Sequence, residues 1–279
     1  MTLLETNSKR NCKGCGIDIS SMGPRFQYCS KKCRIAPRFR GRHCIQCGSR
    51  IIVDLGSSHK VKHCSTACAN KTNFEKRYPD FNEDYFAVPN LENSYWAGFI
   101  AADGCIHPHD TKSSQLVIQL KSSDGHHLKH LQTSIKSGSL LDFGSKTRYR
   151  VSSNKICDDL KHTYNITPRK TLTLEPPELT GNLAYAYVAG YIDGDGCYDS
   201  SKGRPRLRIL GTFSILEWMS DIYDLDRSPT KRPDENVYRL ELHGNDAINV
   251  RKSFEQLDLP ILDRKKNRWE ELGLNLSLL

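Results

Sequence analysis

The sequence has no long run of apolar residues. Nowhere in its 279 residues do eighteen apolar side chains follow one another, the length needed to cross a bilayer, so we expect no membrane partner. The first residues, MTLLETNSKRNC, also lack the apolar segment of a secretory signal. We therefore expect an intracellular protein in a reducing compartment, either the cytoplasm of a bacterium or phage host or an organelle, and not a secreted protein.

Acidic residues are scarce at the start of the chain. Residues 1–80 hold 16 Lys and Arg against 5 Asp and Glu, whereas residues 81–279 hold 25 against 27, so the overall charge of +9 belongs to the first part. A small basic module usually binds a polyanion, most often nucleic acid. The alternative is a basic surface that only keeps the module soluble. With 37% hydrophobic and 26% charged residues, the composition excludes a disordered or collagen-like chain.

Eight of the eleven cysteines form two copies of one spacing pattern, with glycine after the second cysteine and serine after the third. The copies are Cys12, Cys15, Cys29 and Cys33, then Cys44, Cys47, Cys64 and Cys68. Two close cysteine pairs are typical of a structural, tetrahedral Zn²⁺ site, and zinc binding folds modules that are too small for a core of their own. A disulfide scaffold or an iron–sulfur site is the alternative, but the duplicated spacing favours two structural Zn²⁺ ions.

Basic and aromatic residues surround these cysteines and suit contact with phosphates. They are Phe26, Tyr28, Arg38, Phe39, Arg40, Arg42, Lys60 and Lys62. Three histidines also lie close by. Because each copy already has four cysteines, we expect His43, His59 and His63 not to be zinc ligands.

A second internal repeat lies further along the chain. Residues 95–105 read YWAGFIAADGC, and residues 187–197 read YVAGYIDGDGC. Each segment predicts an apolar helix that ends at Asp-Gly, with polar caps at Asn93 or Ser94 in one copy and Asn182 in the other. Small residues recur four apart in both helices, as in Gly190 and Gly194, which allows two helix backbones to approach closely.

Pairing of these helices would bring Asp103 and Asp195 together at their C-terminal ends. Two carboxylates at the negative ends of two helices repel each other, and a divalent cation relieves that repulsion. Mg²⁺ prefers oxygen ligands, and such a centre supports phosphodiester hydrolysis. The alternative is that Asp-Gly only ends a helix, which two matched copies make the weaker interpretation.

The two segments resemble the paired motifs of LAGLIDADG homing endonucleases in their single-chain form, over roughly residues 93–279. The resemblance implies site-specific cleavage of a long double-stranded DNA target with short 3′ overhangs, using two or three Mg²⁺ ions. It implies that Asp103 and Asp195 bind the catalytic metal, with the backbone carbonyls of Ala102 and Gly194 as further ligands. The earlier acid of the motif is not a metal ligand in the family; it is present as Asp193 in the second motif and absent from the first.

The residues after each motif predict strands. Apolar and polar side chains alternate there, so one sheet face is covered by helices and the other carries long polar side chains suited to the DNA major groove. We predict an α+β fold of two pseudo-symmetric αββαββα halves that form a DNA-binding saddle. The candidate DNA contacts are Gln115, Gln119, Lys121, Arg148, Arg150, Arg204, Arg206, Arg208, Arg239 and His243. For any one of them, an ordinary charged sheet face is the alternative.

Each half ends in a similar phrase, ITPRK at 166–170 and LPILDRK at 259–265. By the resemblance, Lys170 and Lys265 approach the active centre and assist catalysis, where a cation polarises water or stabilises the phosphate. Lys266 and Lys121 are the competing lysines, and an ordinary solvated lysine is the alternative for each.

Three cysteines remain outside the two clusters, namely Cys105, Cys157 and Cys197. We expect them to be small buried residues, with Cys105 and Cys197 packed at the strand starts.

The predicted organisation has five parts. They are a first zinc module at 1–40, a second at 41–75, a linker at 76–92, and two halves at 93–184 and 185–279. With both halves in one chain, we expect a monomer whose partner is double-stranded DNA. Two other functions stay open, an intron maturase that binds RNA and a regulator that binds DNA without cutting. Because both acids are present, the sequence favours the nuclease.

Overall fold

The protein is described by a computed structural model over residues 9–35, 38–53, 61–233 and 236–272. Residues 1–79 and 80–279 pack as two separate compact units, here called the N-terminal unit and the body. Across these described stretches, no helix combines the length and the apolar character needed to span a membrane.

The N-terminal unit has little regular structure. Its elements are α1 (Lys31–Ile35), β1 (Arg38–His43), β2 (Arg50–Val53) and α2 (Thr66–Arg77), with β1 and β2 antiparallel. Serine hydroxyls organise the starts of both helices. Ser30 Oγ accepts a hydrogen bond from the N–H of Cys33, and Ser65 Oγ accepts one from the N–H of Cys68, which satisfies an N–H group that the helix start leaves unpaired. Both helices therefore begin directly after the serine that follows the third cysteine of each pattern.

The body consists of two consecutive halves with matching elements. The first half contains α3 (Leu91–Asp103), β3 (Gly104–His107), β4 (Gln115–Lys121), α4 (Gly125–Ile135), β5 (Ser139–Asp142), β6 (Lys146–Ser152) and α5 (Asn154–Tyr164). The second half contains α6 (Gly181–Asp195), β7 (Gly196–Ser201), β8 (Arg204–Gly211), α7 (Phe213–Ile222), β9 (Thr230–Lys231), β10 (Tyr238–His243), α8 (Asn245–Glu255) and α9 (Asp263–Glu271). The predicted αββαββα order is present in each half, and α9 extends the second.

Each half forms one four-stranded antiparallel sheet, and the strand orders correspond. The order is β3-β4-β6-β5 in the first half and β7-β8-β10-β9 in the second. The register also matches, because Gly104 lies opposite Ile118 and Gly196 lies opposite Ile209. The predicted α+β class with two similar halves is therefore confirmed.

Alternation in the strands separates the two faces of each sheet. In β4, Leu116, Ile118 and Leu120 are buried under the helices, whereas the residues between them are partly exposed. The same pattern buries Tyr149 and Val151 in β6. The polar side chains therefore share the opposite face, as the sequence predicts.

The predicted helix starts are wrong by a few residues. α3 begins at Leu91, and Asn90 caps it: Asn90 Oδ1 accepts from the N–H of Asn93, and Asn93 Oδ1 accepts from the N–H of Asn90. The buried Asn93 amide also donates to the carbonyls of Tyr85 and Val88, so it ties the preceding loop to the helix instead of starting it. α6 likewise begins at Gly181, after Thr180.

Candidate active site and metal-binding clusters

Helices α3 and α6 pack against each other at unusually short range. A Cβ added to Gly98 would lie 1.9 Å from the carbonyl oxygen of Tyr187, and one added to Gly190 would lie 1.9 Å from that of Tyr95. No side chain fits in either place. Near the helix ends, a Cβ on Gly194 would lie 2.3 Å from the Cβ of Ala102. The small residues that recur four apart thus form the contact between the halves, as the sequence predicts.

This contact brings Asp103 and Asp195 together at the ends of the two helices. Burial in the surrounding protein raises the pKa of Asp103, and the Lys265 and Lys170 ammonium groups partly offset that effect. Burial also raises the pKa of Asp195, and the neighbouring negative charge of Asp103 adds to it, so that it reaches about 6. The charged forms of both acids are therefore opposed by their surroundings, and a bound cation would stabilise them.

The donor set at this place suits a hard divalent cation. Besides the two carboxylates, the last turns of α3 and α6 carry the carbonyls of Ala102 and Gly194, and the final carbonyls of a helix have no partner within it. All of these donors are oxygens, which Mg²⁺ and Ca²⁺ prefer. The structure thus brings together the side chains and backbone positions that the motif resemblance implies.

Lys170 and Lys265 occupy corresponding places beside the two acids. Lys170 Nζ donates to the carbonyl of Gly104 at 2.6 Å, and Lys265 Nζ donates to the carbonyls of Gly196 and Ile192. Both side chains are buried. Burial lowers the pKa of each lysine, and the nearby charge of Arg264 lowers that of Lys265 further. Nearby negative groups, Asp103 among them, act in the opposite direction. Each ammonium group is therefore held where a strand begins, directly after the aspartate.

The competing lysines lie elsewhere. Lys266 lines a cavity between α4 and α8 that also includes His130 and Glu255. Lys121 is exposed at the end of β4. Neither is held at the helix ends as Lys170 and Lys265 are.

Asp193 has a structural role that its sequence position does not reveal. It is buried, and its Oδ2 accepts hydrogen bonds from the hydroxyl of Tyr95 at 2.6 Å and from the N–H of Leu262 at 2.7 Å. The Tyr95 hydroxyl also lies 3.1 Å from His127 Nε2, and burial lowers the pKa of His127 to about 3, so this imidazole is neutral. Asp193 therefore ties α3 of the first half to the segment that leads into α9 and Lys265.

The polar face of the first sheet adjoins Asp103. A cleft of about 570 Å³ is lined by Asp103, Gln115, Gln119, Arg148 and Arg150, among others, so the structure brings these predicted contacts to the acid. Gln119 Oε1 accepts from Arg148 Nε at 3.1 Å and from its NH2 at 2.8 Å. The guanidinium of Arg148 is thereby oriented, and no acid within the described stretches forms an ion pair with it.

The second sheet differs because two acids lie among its arginines. Asp199 accepts from Arg206 Nε at 2.6 Å and from Arg208 NH2 at 2.5 Å, which lowers the pKa of the Asp199 carboxyl. Glu241 lies 3.3 Å from Arg206 NH1 of β8 and also approaches the two basic residues of its own strand, β10. Those residues are Arg239, at 3.3 Å, and His243, at 3.2 Å. Arg204 is exposed at the start of β8.

Asp199 could not be singled out from the sequence. It stands in β7 at a polar position like many others, and only the pairing of Ser200 with Pro205 and of Asp199 with Arg206 places its carboxylate beside the guanidinium. The charge of the polar face is therefore lower in the second half than a count of its arginines suggests.

The expected burial of Cys105 and Cys197 is wrong. Both thiols are exposed on the polar face, because Ile106 and Tyr198 take the inward positions of β3 and β7. Cys157 is buried as expected, and burial raises the pKa of its thiol to about 12.

In the N-terminal unit, the eight predicted cysteines gather into two clusters. Within each cluster the four sulfur atoms lie within 4.8 Å of one another. Three sulfur pairs illustrate the spacing: Cys15 and Cys29 are 3.5 Å apart, Cys29 and Cys33 are 3.4 Å apart, and Cys64 and Cys68 are 3.6 Å apart. A Zn–S distance of about 2.3 Å gives a tetrahedron with sulfurs about 3.8 Å apart, so both clusters could hold a tetrahedral thiolate-bound metal.

The backbone of each cluster favours thiolates. The N–H of Cys29 donates to Cys12 Sγ at 3.2 Å, and this bond lowers the pKa of Cys12 to about 6. Burial acts against ionisation of Cys44, but N–H groups of Cys64 and Cys47 outweigh it and lower the pKa to about 6. Both clusters thus have a buried first cysteine that is prepared to bind a cation.

Only some of the residues predicted to surround the clusters are among those that the structure describes. Lys60 and His59 are outside the described residues, as are the side chains of Arg38, Phe39, Arg40 and Arg42. His63 is described, and its Nε2 lies 3.0 Å from Thr72 Oγ1. This hydrogen bond turns the imidazole to α2.

Comparisons with known proteins give structural neighbours only. No family model matches the chain, and a search for similar curated sequences finds no match. Among solved structures, the chain is similar to the I-SmaMI LAGLIDADG homing endonuclease bound to cleaved DNA (14% identity, TM-score 0.46, covering 68% of this chain and 90% of that one). It is also similar to the LAGLIDADG meganuclease I-AabMI bound to uncleaved DNA (15%, TM-score 0.48, 67% and 92%). A third is the LAGLIDADG homing endonuclease I-GzeII in complex with its DNA target (14%, TM-score 0.48, 68% and 92%).

Proposed function

We propose that this protein is a site-specific endonuclease of the LAGLIDADG homing type, which cleaves both strands of a long duplex target. One observation carries the proposal. Two closely packed helices end in adjacent aspartates, Asp103 and Asp195, and a buried lysine lies beside each of the strands that follow. Such a combination of paired acids and cations suits hydrolysis of a phosphodiester.

The all-oxygen donor set fits Mg²⁺, and we propose two or three ions there. When bound, Mg²⁺ would lower the pKa of a water molecule and stabilise the leaving oxygen. Asp103 and Asp195 would hold the cations, with the Ala102 and Gly194 carbonyls as further ligands. Because the acids sit on a local twofold arrangement of helices, one phosphodiester on each strand would be attacked. Short 3′ overhangs are what the motif resemblance implies.

Lys170 and Lys265 act as fixed cations in this scheme. Their hydrogen bonds to the carbonyls of Gly104 and Gly196 keep each ammonium group beside an aspartate, where it stabilises the negative charge that develops on the phosphate. The lowered pKa of each lysine also makes it a better proton donor or acceptor than an exposed lysine.

The polar faces of the two sheets would lie in the major groove and select the target. In the first half, Gln119 orients Arg148, and Gln115 and Arg150 lie in the same cleft. In the second half, Asp199 and Glu241 hold the arginines in fixed positions. Because the two faces differ in charge, the two half-sites should differ in sequence. A monomer then suffices to bind an asymmetric target.

We further propose that each cysteine cluster binds one structural Zn²⁺ and that the basic modules lengthen the DNA contact. Metal analysis of the purified protein is expected to give about two zinc ions per chain. Cys29→Ser and Cys64→Ser should each remove about one, since a sulfur common to two short pairs in each cluster is lost. Cys105→Ser, outside the clusters, should leave both. Much less than two in the unaltered protein would contradict this assignment.

A maturase or a non-cleaving regulator could use the same polar sheet face. Neither needs two acids held against each other and flanked by buried lysines, and such an arrangement opposes the charged forms of its own side chains. Its presence favours the nuclease over both alternatives.

The direct test uses DNA in which the sequences that flank the gene are joined without it. With Mg²⁺, the protein is expected to cut both strands at one place near the junction. With Ca²⁺ in its place, we expect binding in a mobility-shift assay without cleavage. Binding without cleavage in both metals would support the regulator, and splicing activity on the precursor RNA without DNA cleavage would support the maturase.

A further inference from the structure

The first cysteine module has a concave, positively charged surface next to an exposed aromatic ring. A cavity of about 510 Å³ is lined by Phe26, Arg25, Lys31 and Arg34, among others, and the residue Phe26 is 55% exposed. Asp18 is the one acid in residues 9–35, and its carboxylate accepts from the N–H of Ser20, away from this cavity. The cavity wall therefore combines cations with an accessible aromatic face and has no acid.

The second module provides an internal comparison, because its framework matches that of the first. The N–H of Gly16 donates to the carbonyl of Cys12 at 2.9 Å, and the N–H of Gly48 donates to that of Cys44 at 2.9 Å. The third and fourth cysteines also have the same serine contact in both copies. Each module thus has the cysteines, the glycine N–H bonds and the serine contacts that folding and metal binding use.

Three of the cavity residues are not shared. Aligned on the third cysteine, Phe26 corresponds to Val61, Lys31 to Thr66, and Arg34 to Ala69. Three of the side chains that make the first surface aromatic and basic are therefore replaced by small or neutral ones in a module of the same framework. This difference indicates that the surface of the first module serves binding and not folding.

We propose that this cavity binds one unpaired nucleotide of a single-stranded nucleic acid, with the base stacked on Phe26 and the phosphates on Arg25, Lys31 and Arg34. Bases stack on aromatic side chains only when they are exposed, whereas a duplex offers base edges and phosphates. The proposed site is thus additional to the duplex-binding sheet faces. Single-stranded DNA and RNA share the chemistry that the site would recognise.

The test measures binding of a fluorescent 12-nucleotide oligo(dT) to the full-length protein in Ca²⁺, where the zinc stays bound and cleavage plays no part. Phe26→Val, which installs the residue of the second module, should weaken binding about tenfold or more, because a stacked base contributes strongly to affinity. The salt dependence of binding should be the same for Phe26→Val as for the unaltered protein, because no phosphate contact is lost. Lys31→Gln should instead reduce the salt slope by roughly 0.7, the value for one phosphate contact on a single strand.

Two further variants make the result specific. Phe26→Trp should keep the affinity and show fluorescence quenched by the oligonucleotide, since an indole also stacks. Phe74→Val, which removes an exposed aromatic ring from α2 of the second module, should bind like the unaltered protein. All variants should retain two zinc ions per chain, which excludes loss of the fold as the cause.

Equal binding of Phe26→Val and the unaltered protein would overturn the proposal. So would an equal loss of affinity for a 12-base-pair duplex, because the cavity would then recognise phosphates alone. An oligo(U) of the same length identifies which strand type is preferred, and Phe26-dependent binding of either supports the site. Because cleavage is not measured, these outcomes are independent of Asp103 and Asp195.

Discussion

Replacing Asp103 or Asp195 with asparagine is expected to reduce DNA cleavage by roughly 10³-fold or more, equivalent to about 4 kcal/mol of activation free energy. Asparagine keeps the size of the side chain but removes the charge that holds the cation. Both strands should be affected by either substitution, because the two carboxylates lie together at the ends of α3 and α6. The measurement is the single-turnover rate on a verified target with saturating Mg²⁺.

Two controls separate a lost metal site from a damaged protein. Asp158→Asn, at an exposed position on α5, should cleave at the unaltered rate. Asp195→Asn should bind the target as well as the unaltered protein does, and without metal it should melt at a higher temperature. That rise follows from the raised pKa of Asp195, which means that the folded protein opposes its charged form at neutral pH. If both asparagine variants cleaved at the unaltered rate, Asp103 and Asp195 would have no role in the reaction.

The second large effect is expected from Gly190→Ala, which should destabilise the body by about 2–3 kcal/mol. The added Cβ would lie 1.9 Å from the backbone carbonyl of Tyr95, so the helices must move apart. For a unit of this size the melting temperature should fall by roughly 5–10 °C, as followed by circular dichroism. The gain in helix propensity from Gly to Ala, about 1 kcal/mol, works in the opposite direction and is smaller.

Gly194 provides the matched control for that experiment. A Cβ there meets the Cβ of Ala102 at 2.3 Å and otherwise only ordinary contacts at 3.6 Å. As a single substitution, Gly194→Ala should therefore destabilise the body. Combined with Ala102→Gly it should not, because the pair of substitutions moves the methyl group from one helix to the other. The loss caused by Gly190→Ala should persist in that background, because a backbone oxygen cannot be removed. Equal stability of Gly190→Ala and the unaltered protein would contradict the close approach of the helices.

Repetition made much of this fold predictable. Two matched segments with small residues four apart were enough to predict that α3 and α6 pair and that Asp103 and Asp195 meet. Strand alternation fixed which residues of β4 and β6 are buried, because the side-chain period of a strand leaves only two choices. The cysteine spacing similarly predicted which sulfurs come together.

Features set by long-range contacts were not predictable. The sequence suggests Asn93 as a helix cap, but its side-chain amide donates hydrogen bonds to two carbonyls of the loop before α3. Cys105 and Cys197 looked like small buried residues, but the register of β3 and β7 turns them outward. The pairing of Asp199 with Arg206 depends on which positions of β7 and β8 lie opposite each other. In each case a polar or small residue is compatible with two environments, and contacts between residues far apart in the sequence determine which of the two it occupies.

The hydrogen bonds of Asp193 also make the two halves unequal partners. In the first half, Ala101 takes the position that corresponds to Asp193. In the second half, the counterpart of Tyr95 is Tyr187, and its hydroxyl is buried with no hydrogen-bond partner in the described part of the chain. A symmetric pair built from two first halves would have neither carboxylate, and each Tyr95 hydroxyl would keep only its contact with His127. The halves are therefore not interchangeable, because this hydrogen bond runs in one direction only, from Tyr95 of the first half to Asp193 of the second.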